Sequence, residues 1–261
     1  MPGHYFRVYM DFIRTSWAEA LTYRAHFILL IIMDLLFYAT ALAGVAVIYE
    51  HLETIGPWNK NQFMFFVAFM LAVDHIHMTL VSENYWNFAF ELRQGTFDFH
   101  LIRPIGSLFP VFFRLIRPAS FFNIMVPWGV LIWYGLEIQL SPLAWVLLPF
   151  MVLLAFALLT SLEILIIMGV FITVESYGLN FLRIQLQQMA RWPDFVFRFY
   201  ARKVFTLLVP VLLIGSVPVR FLLNPLQPEV LLPLVVALAV IVVLIRFCWR
   251  LGLRTYESAS S

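Results

Sequence analysis

Apolar residues along this chain fall in long unbroken blocks. They do not alternate with polar ones, and they do not recur only at helical spacing. A helix needs about 20 mostly apolar residues to cross a bilayer. Six stretches approach that length: 25–49, broken only by Asp34; 62–82, broken only by Asp74; 118–136, without a charge; 138–174, broken only by Glu163; 204–219; and 230–245. Blocks such as the one from Val235 to Leu244 lack the alternating polarity of a closed β-barrel, so the spans are predicted as helices. The fourth stretch is too long for one perpendicular crossing at about 1.5 Å per residue. Nothing between Met151 and Glu163 marks a turn, so it is expected to be one long helix starting near Pro142. Pro210, Pro218, Pro225, Pro228 and Pro233 interrupt the last two stretches. The apolar link Arg220 to Asn224 reads as a re-entrant hairpin between the fifth and sixth spans.

The segment before the first span carries Arg7, Asp11, Arg14 and Thr22 near helical spacing, with Tyr5, Phe6, Tyr9, Phe12, Ile13, Trp17 and Leu21 filling much of the rest. That pattern predicts an amphipathic helix lying in the membrane interface. The expected organisation is thus an interfacial helix over 1–24, one transmembrane domain over 25–251 with a cytoplasmic loop at 83–107, and a tail over 252–261. The fold class is all-α integral membrane.

Composition narrows the function. The chain is 62% hydrophobic and 12% charged, where a soluble domain carries about a quarter charged residues, and its mean hydropathy is +0.89. This excludes a soluble enzyme, a disordered chain and a nucleic-acid binder. One cysteine, Cys248, excludes an internal disulfide and a cysteine-based metal site. Six spans put both termini on one side, and that side receives every Lys and Arg except Lys60 and Arg220, including Arg183, Arg191, Arg198, Arg202 and Lys203. Positive charge marks the cytoplasm. The expected location is a bacterial inner membrane, multi-pass, with cytoplasmic termini.

Asp34, Asp74, His75, His77 and Glu163 lie inside spans, where an ionisable group costs about 2.5–3.5 kcal/mol on insertion scales. Asp74 and His77 share a helix face. The group suits either a proton relay or a set of interhelical hydrogen bonds and ion pairs, and the second is favoured. Two histidines at spacing two do not share a face, so no metal site is expected. No Gly-rich phosphate loop, G-x-S-x-G elbow or H-E-x-x-H motif occurs, so the chain is expected to bind no nucleotide and to be no enzyme itself.

The loop after the second span reads Glu91-Leu92-Arg93-Gln94-Gly95-Thr96-Phe97-Asp98-Phe99-His100-Leu101-Ile102-Arg103-Pro104. It is amphipathic, with a Gly break at its middle and a Pro at its end. It suits docking on a cytoplasmic partner, with Glu91 and Asp98 to pair with basic groups and Phe97, Phe99 and Leu101 to bury. This E-L-R-x-G-x-x-D-x-x-L-x-R-P run resembles the loop of type-two permeases of ATP-binding-cassette exporters, nearest their small six-helix branch. The stretch from Pro193 to Leu222, with Arg198, a basic turn and V-P-V-L-L-I-G-S-V-P, is similar too.

The resemblance implies a permease that exports an amphiphilic substrate (lipid, glycan, drug or peptide). It would join a second permease, identical or a sister chain, and a separate ATPase dimer that carries ATP and Mg. It further implies that Glu91, Arg93, Gly95, Asp98, Arg103 and Pro104 couple the two, and that spans one, two and five line the path. The rival readings are a proton-coupled secondary transporter using Asp74, His75, His77 and Glu163, and a non-transporting scaffold.

Overall fold

The computed structural model describes residues 2–51, 54–173 and 177–256. Position 1, the end of the 138–174 stretch and the last five positions of the expected tail lie outside the described residues. The architecture is all-α apart from one short antiparallel ribbon, β1 (Thr54–Ile55) with β2 (Trp58–Asn59). Helix α1 (Pro2–Thr22) leads through a bend at Tyr23 into α2 (Arg24–Ile48). Helix α3 (Lys60–Leu80) follows the ribbon. Its start is fixed by a capping box: Asn59 Oδ1 accepts from the Gln62 amide at 2.9 Å, and Gln62 Oε1 accepts from the Asn59 amide at 3.2 Å.

Helix α3 is the central pillar. It is buried along nearly its whole length, whereas α2 exposes most of its surface. After it come α4 (Ser82–Gln94), α5 (Asp98–Leu101), α6 (Leu108–Phe113), α7 (Pro118–Phe122) and α8 (Met125–Glu137). The stretch 118–136, expected as one span, is therefore two helices, broken at Asn123, whose side chain donates to the Ile31 carbonyl at 3.1 Å.

Ser141 Oγ caps α9 (Pro142–Ile167), and Pro142 sits where a missing N–H costs nothing. With α10 (Val170–Thr173) this forms one apolar unit, Pro142–Thr173, of 32 residues. Then follow α11 (Tyr177–Ala190), α12 (Phe199–Lys203) running into a π-helical turn at Val204–Leu208, α13 (Leu213–Leu223) and α14 (Leu232–Thr255).

Among the described residues, four helices are long and apolar enough to cross a membrane: Arg24–Ile48, Lys60–Leu80, Pro142–Thr173 and Pro228–Thr255. The protein is thus an all-α, multi-pass membrane protein. The expected fifth span, 204–219, takes a different shape. Phe199–Leu208 and Leu213–Leu223 meet at 94°. The physical cause is Pro210, which cannot donate to a helix ladder. A straight helix over 204–219 would hold its ends about 24 Å apart. Instead Arg202 and Arg220, expected on opposite sides of the membrane, bind the same Asp194 carboxylate. The bend of this pair lies at 209–212, and the chain turns again after Leu223, next to the Arg220–Asn224 link. The returning arm seats closely on the pillar: a Cβ on Gly215 would lie 2.6 Å from Met70 Sδ and 2.8 Å from Phe66 Cε2.

Helix α11 packs mainly on α9, and the chain from Arg183 to Phe195, which runs past the end of α11, meets the pillar's surroundings at three levels. At the Leu80 end, Arg183 reaches Glu163, the partner of His77. In the middle, Gln187 and Arg191 meet Asp74. At the Lys60 end, Trp192 packs on Phe63 and Phe195 packs on Trp58, with ring centroids 6.3 and 4.9 Å apart. Arg183 and Arg191, expected on the cytoplasmic side, are drawn into the helix bundle by buried carboxylates.

Candidate functional site

Two sets of residues bear on function: the α4–α5 segment and the buried charges. Helix α4 stops at Gly95, whose φ of +71° is the left-handed conformation that favours glycine. The chain then turns into α5. Glu91, on the last turn of α4, is buried. Its Oε1 accepts from Arg114 Nη2 at 2.5 Å and its Oε2 pairs with His100 Nε2 at 3.0 Å. Its carbonyl takes the Phe97 amide at 3.2 Å. Glu91 therefore holds the segment together from within, and its expected role as an outward-facing charge is corrected.

Phe97 is corrected in the same way. It is fully buried in an aromatic cluster with Phe88, Phe171, Trp249 and Tyr256, at centroid distances from 5.1 to 6.0 Å. The cluster joins the segment to α4, α10 and the end of α14. What remains on the surface is Arg93, Gln94, Phe99, Leu101, Ile102, Arg103 and Pro104, with Phe99 at 60% and Ile102 at 79% exposure. Asp98 is half-buried at the start of α5. The outward face is thus an apolar tip flanked by arginines, on a base fixed by one carboxylate and one aromatic ring.

The five intramembrane residues each engage another helix. Asp34 on α2 accepts from Arg117 Nη2 at 2.8 Å and from Ser120 Oγ at 2.7 Å. Asp74 on α3 accepts from Gln187 Nε2 at 2.9 Å and Arg191 Nε at 2.8 Å. His75 pairs Nε2 with the Ser120 carbonyl at 3.1 Å, and its Nδ1 takes the Trp128 indole N–H at 3.4 Å. Donor at one nitrogen and acceptor at the other, this is the neutral ring. His77 Nε2 contacts Glu163 Oε2, whose other oxygen takes Arg183 Nη1 at 3.2 Å. Tyr85 lies between the last two, its ring stacked on His77 and 4.6 Å beneath the Arg183 guanidinium.

Each buried acid in these groups thus has an arginine from another element: Asp34 with Arg117, Asp74 with Arg191, Glu163 with Arg183, Glu91 with Arg114. The charges cancel locally, which is how ionised groups persist at low dielectric. The sequence reading named the acids but not their partners. The signal available was the spacing of Arg183, Gln187 and Arg191 at intervals of four, which puts one polar stripe on one helix face.

A cavity of about 270 Å³ opens between α2, α3 and α11. Phe37, Val45, Phe63 and Met70 are among its apolar walls, and Thr40, Gln188 and Arg191 are its polar groups. The Arg191 guanidinium sits 4.6 Å from the centre of the Phe37 ring.

Comparison with known proteins adds one finding. Residues 35–260 match the family described as ABC-2 family transporter protein. Neither a curated protein nor a solved structure matches the chain. The match covers every apolar stretch but the first ten residues of the first, together with the α4–α5 segment. It agrees with a bundle of apolar helices whose charges are neutralised inside. The chain belongs to the ABC-2 family of transporter proteins and is a membrane permease subunit of an ATP-binding-cassette transporter.

Proposed function

We propose that this chain is half of the membrane part of an exporter. A separate ATPase dimer, holding ATP and Mg, would drive outward movement of an amphiphilic substrate through a pair of permeases, identical or sister chains. The observation that carries this reading is the α4–α5 segment. Its tip offers Phe99, Leu101, Ile102 and Arg103 to a partner, and its base is tied by Glu91 and Phe97 to the ends of the long helices. A push on the tip would be passed to α10 and α14 with little slack, because close-packed aromatic rings deform little. In this reading Arg93, Asp98, Arg103 and Pro104 shape the docking face, Gly95 sets its turn, and Glu91 and Phe97 transmit.

The same reading assigns six crossings: α2, α3, the broken α7–α8 unit, Pro142–Thr173, α11 and α14. The 199–223 hairpin would enter from the side that holds Asn59. The support is the succession of contacts from Arg183 at Glu163, through Gln187 and Arg191 at Asp74, to Trp192 at Phe63, and the shared Asp194 of Arg202 and Arg220. The charge bias weakens but keeps its sign, because Arg7, Arg14, Arg24, Arg93, Arg103, Arg114, Arg117, Arg246, Arg250 and Arg254 stay on the side of the termini. That side would be the cytoplasm of a bacterium, with α1 in the interface. The α2–α3–α11 cavity is then the part of the path within one subunit.

The ion pairing also bears on the proton-coupled rival. His75 is held neutral by its two hydrogen bonds, and each buried acid is matched by an arginine, which supports a structural role for the intramembrane charges. Reconstitution with the cognate ATPase in proteoliposomes tests the proposal. Transport and hydrolysis should depend on both chains and survive collapse of the proton gradient. Transport lost with the gradient and indifferent to ATP would overturn it.

A further inference from the structure

Between the arms of the 199–223 hairpin and the start of α14 lies a cleft of about 320 Å³, lined by Asp194, Arg202, Thr206, Ser216 and Arg220 among others. A second hollow of about 280 Å³ shares Arg202 and Thr206 with it and adds Phe199, Lys203 and Leu207. One carboxylate fixes both guanidiniums: Asp194 Oδ2 takes Arg202 through Nε at 2.9 Å and through Nη2, and Oδ1 takes Arg220 Nη2. The Asp194 amide is itself anchored on Ser216 Oγ at 2.9 Å. The acid is buried, while the Arg202 and Arg220 side chains are 45% and 38% exposed.

The charges lining the two hollows do not cancel: two arginines and Lys203 face a single acid. A guanidinium has more N–H donors than these contacts use, so both arginines keep donors for a ligand. Thr206 Oγ1, a lining group of both hollows, is buried without a hydrogen-bond partner. Among the described residues each other buried acid has one arginine, and only Asp194 holds two. Preorganised forks, surplus positive charge and an unfilled hydroxyl suit a tetrahedral oxyanion. Beside them Leu207 and Leu208 are each at least three-quarters exposed; in a membrane protein that is a surface for hydrocarbon.

We propose that the hairpin binds the phosphate of a phospholipid headgroup through Arg202 and Arg220, with Lys203 beside them and the acyl chains lying on Leu207 and Leu208. The inference stands on this cluster alone and does not require the ATPase reading.

The test uses the full chain, purified in detergent and stripped of lipid, with thermal unfolding as readout. Dioctanoyl phosphatidylglycerol should raise the midpoint by about 2–4 °C. Dioctanoylglycerol, with the same chains and no phosphate, should not. Arg202→Gln leaves Asp194 paired with Arg220, and Arg220→Gln leaves it paired with Arg202, so neither strands the acid. Each should lose most of the lipid-induced shift, measured against its own lipid-free midpoint. Arg202→Lys keeps the charge but not the fork, and should retain part of it. An equal shift with inorganic phosphate, lost in both arginine variants, would overturn the lipid as the source while keeping the phosphate site. An equal shift with dioctanoylglycerol, or wild-type responses in both variants, would overturn the proposal.

Discussion

Arg114 Nη2 lies 2.5 Å from Glu91 Oε1, so the acid that opens the proposed coupling motif is neutralised by an arginine of the same chain. With His100 on its second oxygen and the residue buried, Glu91 presents almost no surface to a partner. Its effect on coupling must pass through the shape of the α4–α5 segment.

Glu91→Gln should therefore act first on stability. The amide keeps one acceptor but loses the charge, and hydrogen bonds to charged groups are worth about 1.5–3 kcal/mol. The expected outcome is a loss of that order in detergent unfolding, with Glu91→Lys worse because it sets a cation against Arg114. A Glu91→Gln protein as stable as wild type that fails to bind the ATPase would restore the outward-facing role.

Asp74 and Arg191 give a second prediction. Removing one partner of a buried pair costs about 3–5 kcal/mol, whereas replacing both is often close to neutral. Asp74→Asn should be strongly destabilised, because it leaves a guanidinium that is 16% exposed without its counter-charge. Asp74→Asn with Arg191→Gln should recover most of the loss, and the excess over additivity measures the coupling. If the pair is structural, the double variant also transports. A stable double variant that has lost transport would point to proton chemistry at Asp74.

How much of this was readable beforehand depends on where each charge finds its partner. Helices α2, α3, α9 and α14 announce themselves, because unbroken apolar runs have no other stable solution in a bilayer. Helix α11 does not. Asn180, Arg183, Gln187 and Arg191 look like solvated groups until Asp74 and Glu163, far away in sequence, are brought beside them. The 199–223 unit hides its bend for the converse reason. Its composition is that of a span, and only the 94° bend at Pro210 separates the two. In the coupling motif the residue types were legible but their directions were not, since Glu91 and Phe97 point inward and Phe99 and Ile102 outward.

Cysteine labelling tests the course of α11. In a Cys248→Ser background, Tyr200→Cys should react with an impermeant reagent from the same side as Asn59→Cys, and Thr96→Cys only from the other. Tyr200 is 82% exposed, so a negative result is not explained by burial. Reaction of Tyr200→Cys from the side of Thr96 would return the segment to the cytoplasm and remove α11 as a crossing.

Gly95 offers a test of the turn. Its φ of +71° places any side chain in the left-handed region, at a cost of about 1–2 kcal/mol. Gly95→Ala should lower the unfolding midpoint modestly and reduce ATPase stimulation more than stability, because the tip is re-aimed. Normal stimulation would mean that the turn geometry does not matter for coupling.

The central claim is that the exposed tip of the α4–α5 segment docks the ATPase. The direct measurement is co-purification with the cognate ATPase, together with its hydrolysis rate, for Phe99→Ser with Ile102→Ser. Both side chains are largely exposed, so the permease itself should fold and unfold as wild type does. The account predicts loss of the ATPase from the purified complex and a hydrolysis rate that no longer responds to the permease. A double variant that retains the ATPase and stimulates it normally would contradict it.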